Sequence, residues 1–367
     1  MAALRKSFHS DLTRTIRSMS ERQRSVLRMV VKSFIETAGP VGSKFVKDEF
    51  NLGMSTATIR TTMSDLESLG FLNHPHTSAG RVPTRLGYQA FVGQLMEAAV
   101  LEEEEKRVMQ QELIASIDDT QALIKESSRL LARLAQLLGV VLSPKMNKGV
   151  LQRLDIVPVS SGRVLFVISV EGGFIRTILM QIGSELNRSQ IDQLVSLLNE
   201  RLAGLTLDEI RRTCIPRIRD LAADDTGVVQ LILNSSTELF SDEPEKRTVQ
   251  FDGTTFILEQ PEFAESADLK DLIELMDDEP TVVRLLEEDP EKMPGQATIR
   301  IGCETGKERD QSSTGKISIV TAPYIRSNLK GTIGVIGPTR MNYARAVALV
   351  EGMATLMSLS GSRTNLA

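Results

Sequence analysis

Two tight breaks cut the segment from Ser20 to Gly70 into three short helices, and this punctuation constrains the fold more than any other feature of the chain. Ser20 with Gln23 has the spacing of a capping box, in which two side chains satisfy free N–H groups at a helix start. Leu27, Val30, Val31, Phe34 and Ile35 then recur at helical spacing until Ala38-Gly39-Pro40 ends the run. A second, shorter helix is expected from Ser43 to Phe50. Asn51-Leu52-Gly53-Met54 follows as a turn, with Gly53 free to take positive φ. Ser55 or Thr56 caps a third helix that runs to Leu69 and keeps Ile59, Met63 and Leu66 on one face. Phe71-Leu72-Asn73 reads as a short strand, 74–84 as a loop, and Leu86 to Met96 as a further helix. Three helices, a strand and a loop in this order define a winged helix-turn-helix, assigned to residues 19–97.

In such a motif the third helix enters the major groove, and its N-terminal half reaches base edges. With Ile59, Met63 and Leu66 committed to packing, the opposite side presents Ala57, Thr58, Thr61 and Ser64, flanked by Arg60 and Asp65. Small hydroxylated side chains let a helix sit deep in the groove. Thr58 and Thr61 suit base edges or a thymine methyl, and Arg60 suits guanine or a phosphate. Ser55 and Thr56 lie where the helix begins. Ser43 and Lys44 open the second helix, which crosses the phosphate backbone; Lys44 and Lys47 read equally well as ordinary surface. In the wing, Arg81 beside Gly80 is placed to meet a phosphate or the minor groove. His74 and His76 flank Pro75 without a cysteine or carboxylate cluster, so a polar loop role, His76 toward DNA, is preferred over metal binding. The site expected from these residues is Ser43, Lys44, Ser55, Thr56, Thr58, Arg60, Thr61, His76 and Arg81.

The net charge of −5 taken alone argues against a polyanionic partner. Its distribution argues the other way. Residues 1–96 hold 13 Lys or Arg against 7 Asp or Glu, and the remainder holds 30 against 41. A basic head on an acidic body is the asymmetry of a chain that brings one module to nucleic acid. Residues 1–18, with Arg5, Lys6, Arg14 and Arg17, read as a flexible basic tail. Neither a signal peptide nor an apolar run long enough for a membrane span is visible, so a cytoplasmic protein without membrane contact is expected. Cys214 and Cys303 are far apart and read as buried or half-buried thiols.

Beyond the head, Leu101 to Gly139 is helical with a break near Asp118-Asp119. Strands are expected at Arg153 to Val159, Arg163 to Val170 and Phe174 to Ile182, joined by short glycine-bearing links as a meander. Helices follow from Ser189 to Phe240, two short strands near Thr248 to Leu258, and two helices between Ala264 and Glu288. Strands at Thr298 to Cys303, Ile317 to Tyr324 and Gly331 to Ile336 and a last helix from Asn342 complete the chain. Each strand set alone is a small sheet with one apolar face, so the two are expected to combine into one α+β domain interrupted by an insertion of roughly 184–260. Gly331 to Gly337 matches no phosphate-binding fingerprint and reads as a closely packed strand ending in a turn. No histidine lies beyond residue 76, so a catalytic triad would need its base in the wing; no enzyme activity and no cofactor are expected.

Five segments together resemble one family. Ser20-Glu21-Arg22-Gln23, Pro40-Val41-Gly42-Ser43, Ser55-Thr56-Ala57-Thr58-Ile59-Arg60, Pro75 through Thr84, and Gly337-Pro338-Thr339-Arg340-Met341 are similar in order and spacing to HrcA, the heat-inducible transcription repressors of bacteria. Thr61 stands where that family often carries asparagine. The resemblance implies a winged-helix domain, a GAF-like antiparallel-sheet domain (98–183 and 261–367) and an inserted α/β dimerisation domain (184–260). It also implies an inverted-repeat operator, CIRCE, upstream of chaperone operons, and a GroE-type chaperonin that keeps the repressor active.

An inverted repeat has two-fold symmetry, so a homodimer must hold two heads at a fixed spacing on double-stranded DNA. Ile191, Leu194, Val195, Leu198, Leu202 and Ile210, on the helices at 189–202 and 207–221, are the apolar patch considered for the dimer contact; intradomain core is their other reading. Two further functions stand beside repression: a winged-helix regulator whose GAF-like domain senses a metabolite, and an enzyme with a DNA-binding head.

Overall fold

The computed structural model describes residues 19–50, 53–75, 80–117, 119–160, 162–183, 188–223, 227–240, 247–263, 266–287, 293–303 and 317–359. The basic tail at 1–18 and His76 lie outside these residues.

The head begins with α1 (Glu21–Thr37), α2 (Ser43–Glu49) and α3 (Thr56–Ser68). The capping box forms as expected: Ser20 Oγ accepts from the Gln23 N–H at 3.2 Å, and Gln23 Oε1 accepts from the Ser20 N–H at 2.9 Å. Ala38, at φ 54°, ends α1 in the left-handed region. A two-stranded ribbon, β1 (Leu72–Asn73) with β2 (Val82–Pro83), follows. Then comes α4 (Arg85–Ala90), which loosens into a wider π-helical turn over Phe91–Leu95. Thr84 caps α4, accepting from the Gly87 N–H at 3.1 Å and donating to the Gly70 carbonyl at 2.7 Å. That one hydroxyl ties α4 to the residue just past α3.

The body starts with α5 (Glu103–Ile114) and α6 (Thr120–Ala135). Its five-stranded sheet has the order β7-β3-β10-β9-β8, all antiparallel neighbours, with β3 at Leu138–Leu142, β7 at Val249–Asp252, β8 at Thr298–Cys303, β9 at Ile317–Arg326 and β10 at Leu329–Pro338. Both faces are covered, and alternation along the strands divides the side chains between two cores. Leu138, Val140 and Leu142 of β3 pack with Ile257, Leu275 and Val283 on one side. Val141, Val320 and Val335 join the cluster that holds Leu131 of α6 and Leu349 of the last helix, α13 (Tyr343–Leu359). Gly139 permits this layering, because a Cβ there would stand 2.3 Å from the Ser128 carbonyl oxygen of α6.

Between β3 and β7 the chain leaves the body and builds a separate unit. Its sheet is β4 (Leu151–Ser160), β5 (Arg163–Val170) and β6 (Phe174–Gln181), in sequence order. Helices α7 (Arg188–Leu202), α8 (Leu207–Ile218) and α9 (Val228–Phe240) belong to it. The meander expected at 153–182 therefore exists, but it does not join the strands at 298–336. The sheets place the departure from the body after β3 and the return at β7, rather than at 184 and 260. The strand Leu138–Leu142 is not among the expected elements, and its first two residues lie where the pattern predicts the tail of a helix ending at Gly139. Of the two strands expected near 248–258 only β7 forms, followed by α10 (Thr254–Leu258). Two more helices, α11 (Ser266–Asp277) and α12 (Glu279–Leu286), cover the sheet before β8. The glycine-rich Gly331 to Gly337 lies inside β10 as a strand.

The patch considered for a dimer contact is corrected. Ile191, Leu194, Leu198, Leu202 and Ile210 are all buried in the inserted unit, and Val195 is half-buried against the same core. An amphipathic helix facing its own sheet carries the same periodicity as one facing a partner.

Candidate nucleic-acid interface

The candidate surface is built on α3. Ser55 caps it, its Oγ accepting from the Thr58 N–H at 3.1 Å and lying 2.8 Å from the Thr58 hydroxyl. Ile59, Thr62, Met63 and Leu66 are buried and hold α3 against α1 and α2. Thr62 belongs to this packed face because its hydroxyl donates back to the Thr58 carbonyl at 3.0 Å, which leaves its methyl to pack. The opposite face is open. Ala57, Arg60, Thr61 and Ser64 are exposed, and Thr56 and Thr58 are half-buried at the helix start. Thr61 is exposed and donates to the Ala57 carbonyl at 3.1 Å, which leaves its hydroxyl oxygen able to accept. Arg60, Lys44 and Lys47 are exposed and make no ion pair among the described residues.

Other expected residues sit differently. Ser43 is the first residue of α2, but it is buried, and Gly42 is the N-cap. Lys44 is the outward member of that pair. Arg81 is not a free wing cation. Its guanidinium meets Glu67 of α3 at 2.7 Å, and its side chain is only 19% exposed. Its backbone exchanges two 2.8 Å hydrogen bonds with Val41, so the base of the wing is stitched to the turn between α1 and α2. Gly80 is required for this approach, since a Cβ there would lie 2.3 Å from the Val41 carbonyl carbon. Sequence reasoning missed Glu67 and Val41 as partners of the wing. The glycine beside Arg81 was the only local signal of a close backbone approach. Cys214 is buried, and burial pushes its thiol up to about 11; Cys303 is half-buried and also raised, chiefly by burial.

Comparison with known proteins gives this surface its context. Residues 121–347 match the family model described as the HrcA protein C terminal domain. Over its length the chain is 38% identical to the heat-inducible transcription repressor HrcA of Prosthecochloris aestuarii, covering 95% of this chain and 99% of that one. The HrcA repressors of Chlorobium luteolum and Chlorobaculum tepidum are each 36% identical, over 95% and 94% of this chain and 99% of theirs. A crystal structure of a hypothetical protein shares the fold, with a TM-score of 0.57 at 23% identity over 95% of this chain and 100% of that one. The α+β architecture and these relatives define a transcription repressor rather than an enzyme. The chain belongs to the HrcA family, the negative regulators of heat-shock transcription. Among the described residues no helix is long and apolar enough to cross a membrane.

Proposed function

We propose that residues 19–97 are a winged helix-turn-helix reading an inverted-repeat operator of the CIRCE type, and that two chains bind it together in the cytoplasm. The observation that carries this reading is the open face of α3. Arg60 and Thr61 point to solvent from a helix whose other side is locked into the head. Ser55 preorganises the helix start, Thr56, Thr58 and Thr61 present hydroxyls and methyls to base edges, and Arg60 donates to guanine or phosphate. Lys44 supplies backbone charge, with Ser43 contributing only through the helix it begins. Arg81 sets the angle of the wing through Glu67, and His76 is assigned to DNA contact from the sequence alone. The body, a GAF-like sheet in this reading, carries the inserted unit that joins two copies.

The joining surface is the outer face of the β4–β6 sheet. Val157, Val159, Ile175 and Leu179 are 46–54% exposed there. Val157, Leu165 and Leu179 stand side by side across the three strands. Polar Arg153, Asp155, Ser169 and Thr177 stand on the same face beside these side chains. An exposed apolar patch with a polar rim suits a protein-binding surface, and a symmetric operator calls for a second copy on it. Occupancy of the promoter then represses the chaperone operon. A GroE-type chaperonin maintaining the competent fold follows from family resemblance.

A fluorescence-anisotropy titration of the inverted repeat against a scrambled duplex, with and without chaperonin, tests the reading. Specific binding that rises with chaperonin is the expected result; equal affinity for both duplexes would remove it.

A further inference from the structure

The turn Pro338 to Tyr343, which joins the last body strand to the last helix, grips the head at two points. Arg340 is the first. Its Nε lies 2.5 Å from Glu262 Oε1, and its Nη2 lies 3.3 Å from Glu262 Oε2 and 3.1 Å from Gln260 Oε1. Its Nη1 donates to the Ile35 carbonyl at 2.8 Å. Glu262 and Gln260 belong to the body; Ile35 lies in the final turn of α1. The last carbonyls of a helix have no partner within it. The N–H of Gly39, which would have reached Ile35 in a longer helix, turns to the Thr37 hydroxyl instead. One guanidinium therefore caps α1 and ties it to the body, with only 14% of its side chain exposed.

Tyr343 is the second point. Its hydroxyl is fixed by Ser318 at 2.9 Å and by the Thr339 carbonyl at 2.7 Å, both in the body. Its ring meets Tyr88 of α4 at 6.1 Å between centroids and a 58° tilt. Clefts of about 450 and 300 Å³ open along the seam, each lined by Ile35, Glu36, Asn342 and Arg345, the smaller also by Arg340.

We propose that Arg340 is a positioning residue for DNA recognition: with Glu262 it fixes the angle between head and body, and so sets the spacing of half-sites that a dimer accepts. A planar guanidinium held by a carboxylate has the directions of its remaining N–H groups fixed. One of them meets Gln260 and another the end of α1, and α1 is packed on α3. Locking α1 to the body locks the groove-reading helix to the body. The proposal rests on the dimeric operator reading above.

The test uses the full chain and duplexes whose inverted repeat is separated by spacers changed one base pair at a time, with a single half-site as control. Wild type prefers one spacing by tenfold or more over spacers two base pairs away. Arg340→Ala reduces that preference to threefold or less, with half-site affinity within twofold of wild type. Glu262→Gln lies between, and Arg340→Lys does not restore the profile, because an ammonium cannot span both partners. An unchanged spacing profile in Arg340→Ala overturns the proposal. So does equal loss on half-site and full repeat, which is the mark of a merely structural residue. Hydrogen exchange on the free proteins decides the matter without DNA. In Arg340→Ala, amides at 34–39 and 88–91 exchange about tenfold faster while those of β9 keep their rates; unchanged rates at the seam, or a rise everywhere, contradict the latch. If wild type shows no spacing preference, the dimeric reading fails, and hydrogen exchange alone then decides for or against the latch. Should Arg340→Ala not fold, Glu262→Gln carries both measurements.

Discussion

Arg60 and Arg81 show how two arginines in one small head come to different tasks. Arg60 is exposed and without an ion-pair partner among the described residues, on the open side of a buried-face helix. Arg60→Ala is expected to weaken operator binding by about 1–3 kcal/mol, the worth of a good arginine–guanine contact. Binding to a scrambled duplex should change far less, and competition titrations separate the two. Arg81 is instead paired with Glu67 and largely withdrawn from solvent. A double-mutant cycle with Arg81→Ala and Glu67→Ala should show a coupling of about 1 kcal/mol in thermal or urea unfolding. Additive losses would return Arg81 to the role of a free wing cation. Sequence could not distinguish these arginines, because Glu67 lies 14 positions from Arg81 and no spacing rule joins a helix end to a wing.

At the scale of elements, the head's helices were legible because their ends are written locally. Ser20 and Gln23 form the cap their spacing implies, and Ser55 caps α3. The strands Arg163–Val170 and Thr298–Cys303 also fall where alternation and flanking turns put them. The strand Leu138–Leu142 was hidden for a physical reason. It is apolar on both faces, since both sides of the body sheet are covered, so it shows no alternation. It also follows α6 after only two residues, and Leu138 continues the helical stripe. Strand sets 151–181 and 298–336 could not be assigned to separate sheets for a different reason: which edges pair is a tertiary matter. The wing offers the sharpest test of an element. Gly80→Ala would drive a methyl into the Val41 backbone, so the head should lose about 1–3 kcal/mol, the range for overpacking. Differential scanning calorimetry should show the loss in head unfolding, with β9 and β10 unaffected by hydrogen exchange. A head that melts unchanged would mean that the stitch between wing and turn is not formed.

At the scale of the molecule, charge and apolar surface divide the work. Residues 1–96 carry a net positive charge and the rest a net negative one, while the exposed apolar patch lies on the sheet of the inserted unit. Helical periodicity alone puts the dimer contact on α7 and α8, but their stripes point inward to the sheet and leave its other face open. Leu179→Asp, at a position 52% exposed, should leave the monomer folded and split the dimer, read as a halved mass in light scattering. A dimer that persists would move the contact elsewhere. The claim that ties these parts together is that two heads act on one symmetric site. Sedimentation velocity of the full chain with a fluorescent inverted-repeat duplex measures this directly. The account predicts two chains per duplex at saturation, with no populated single-chain complex of comparable affinity. One chain bound tightly to the whole repeat would contradict it.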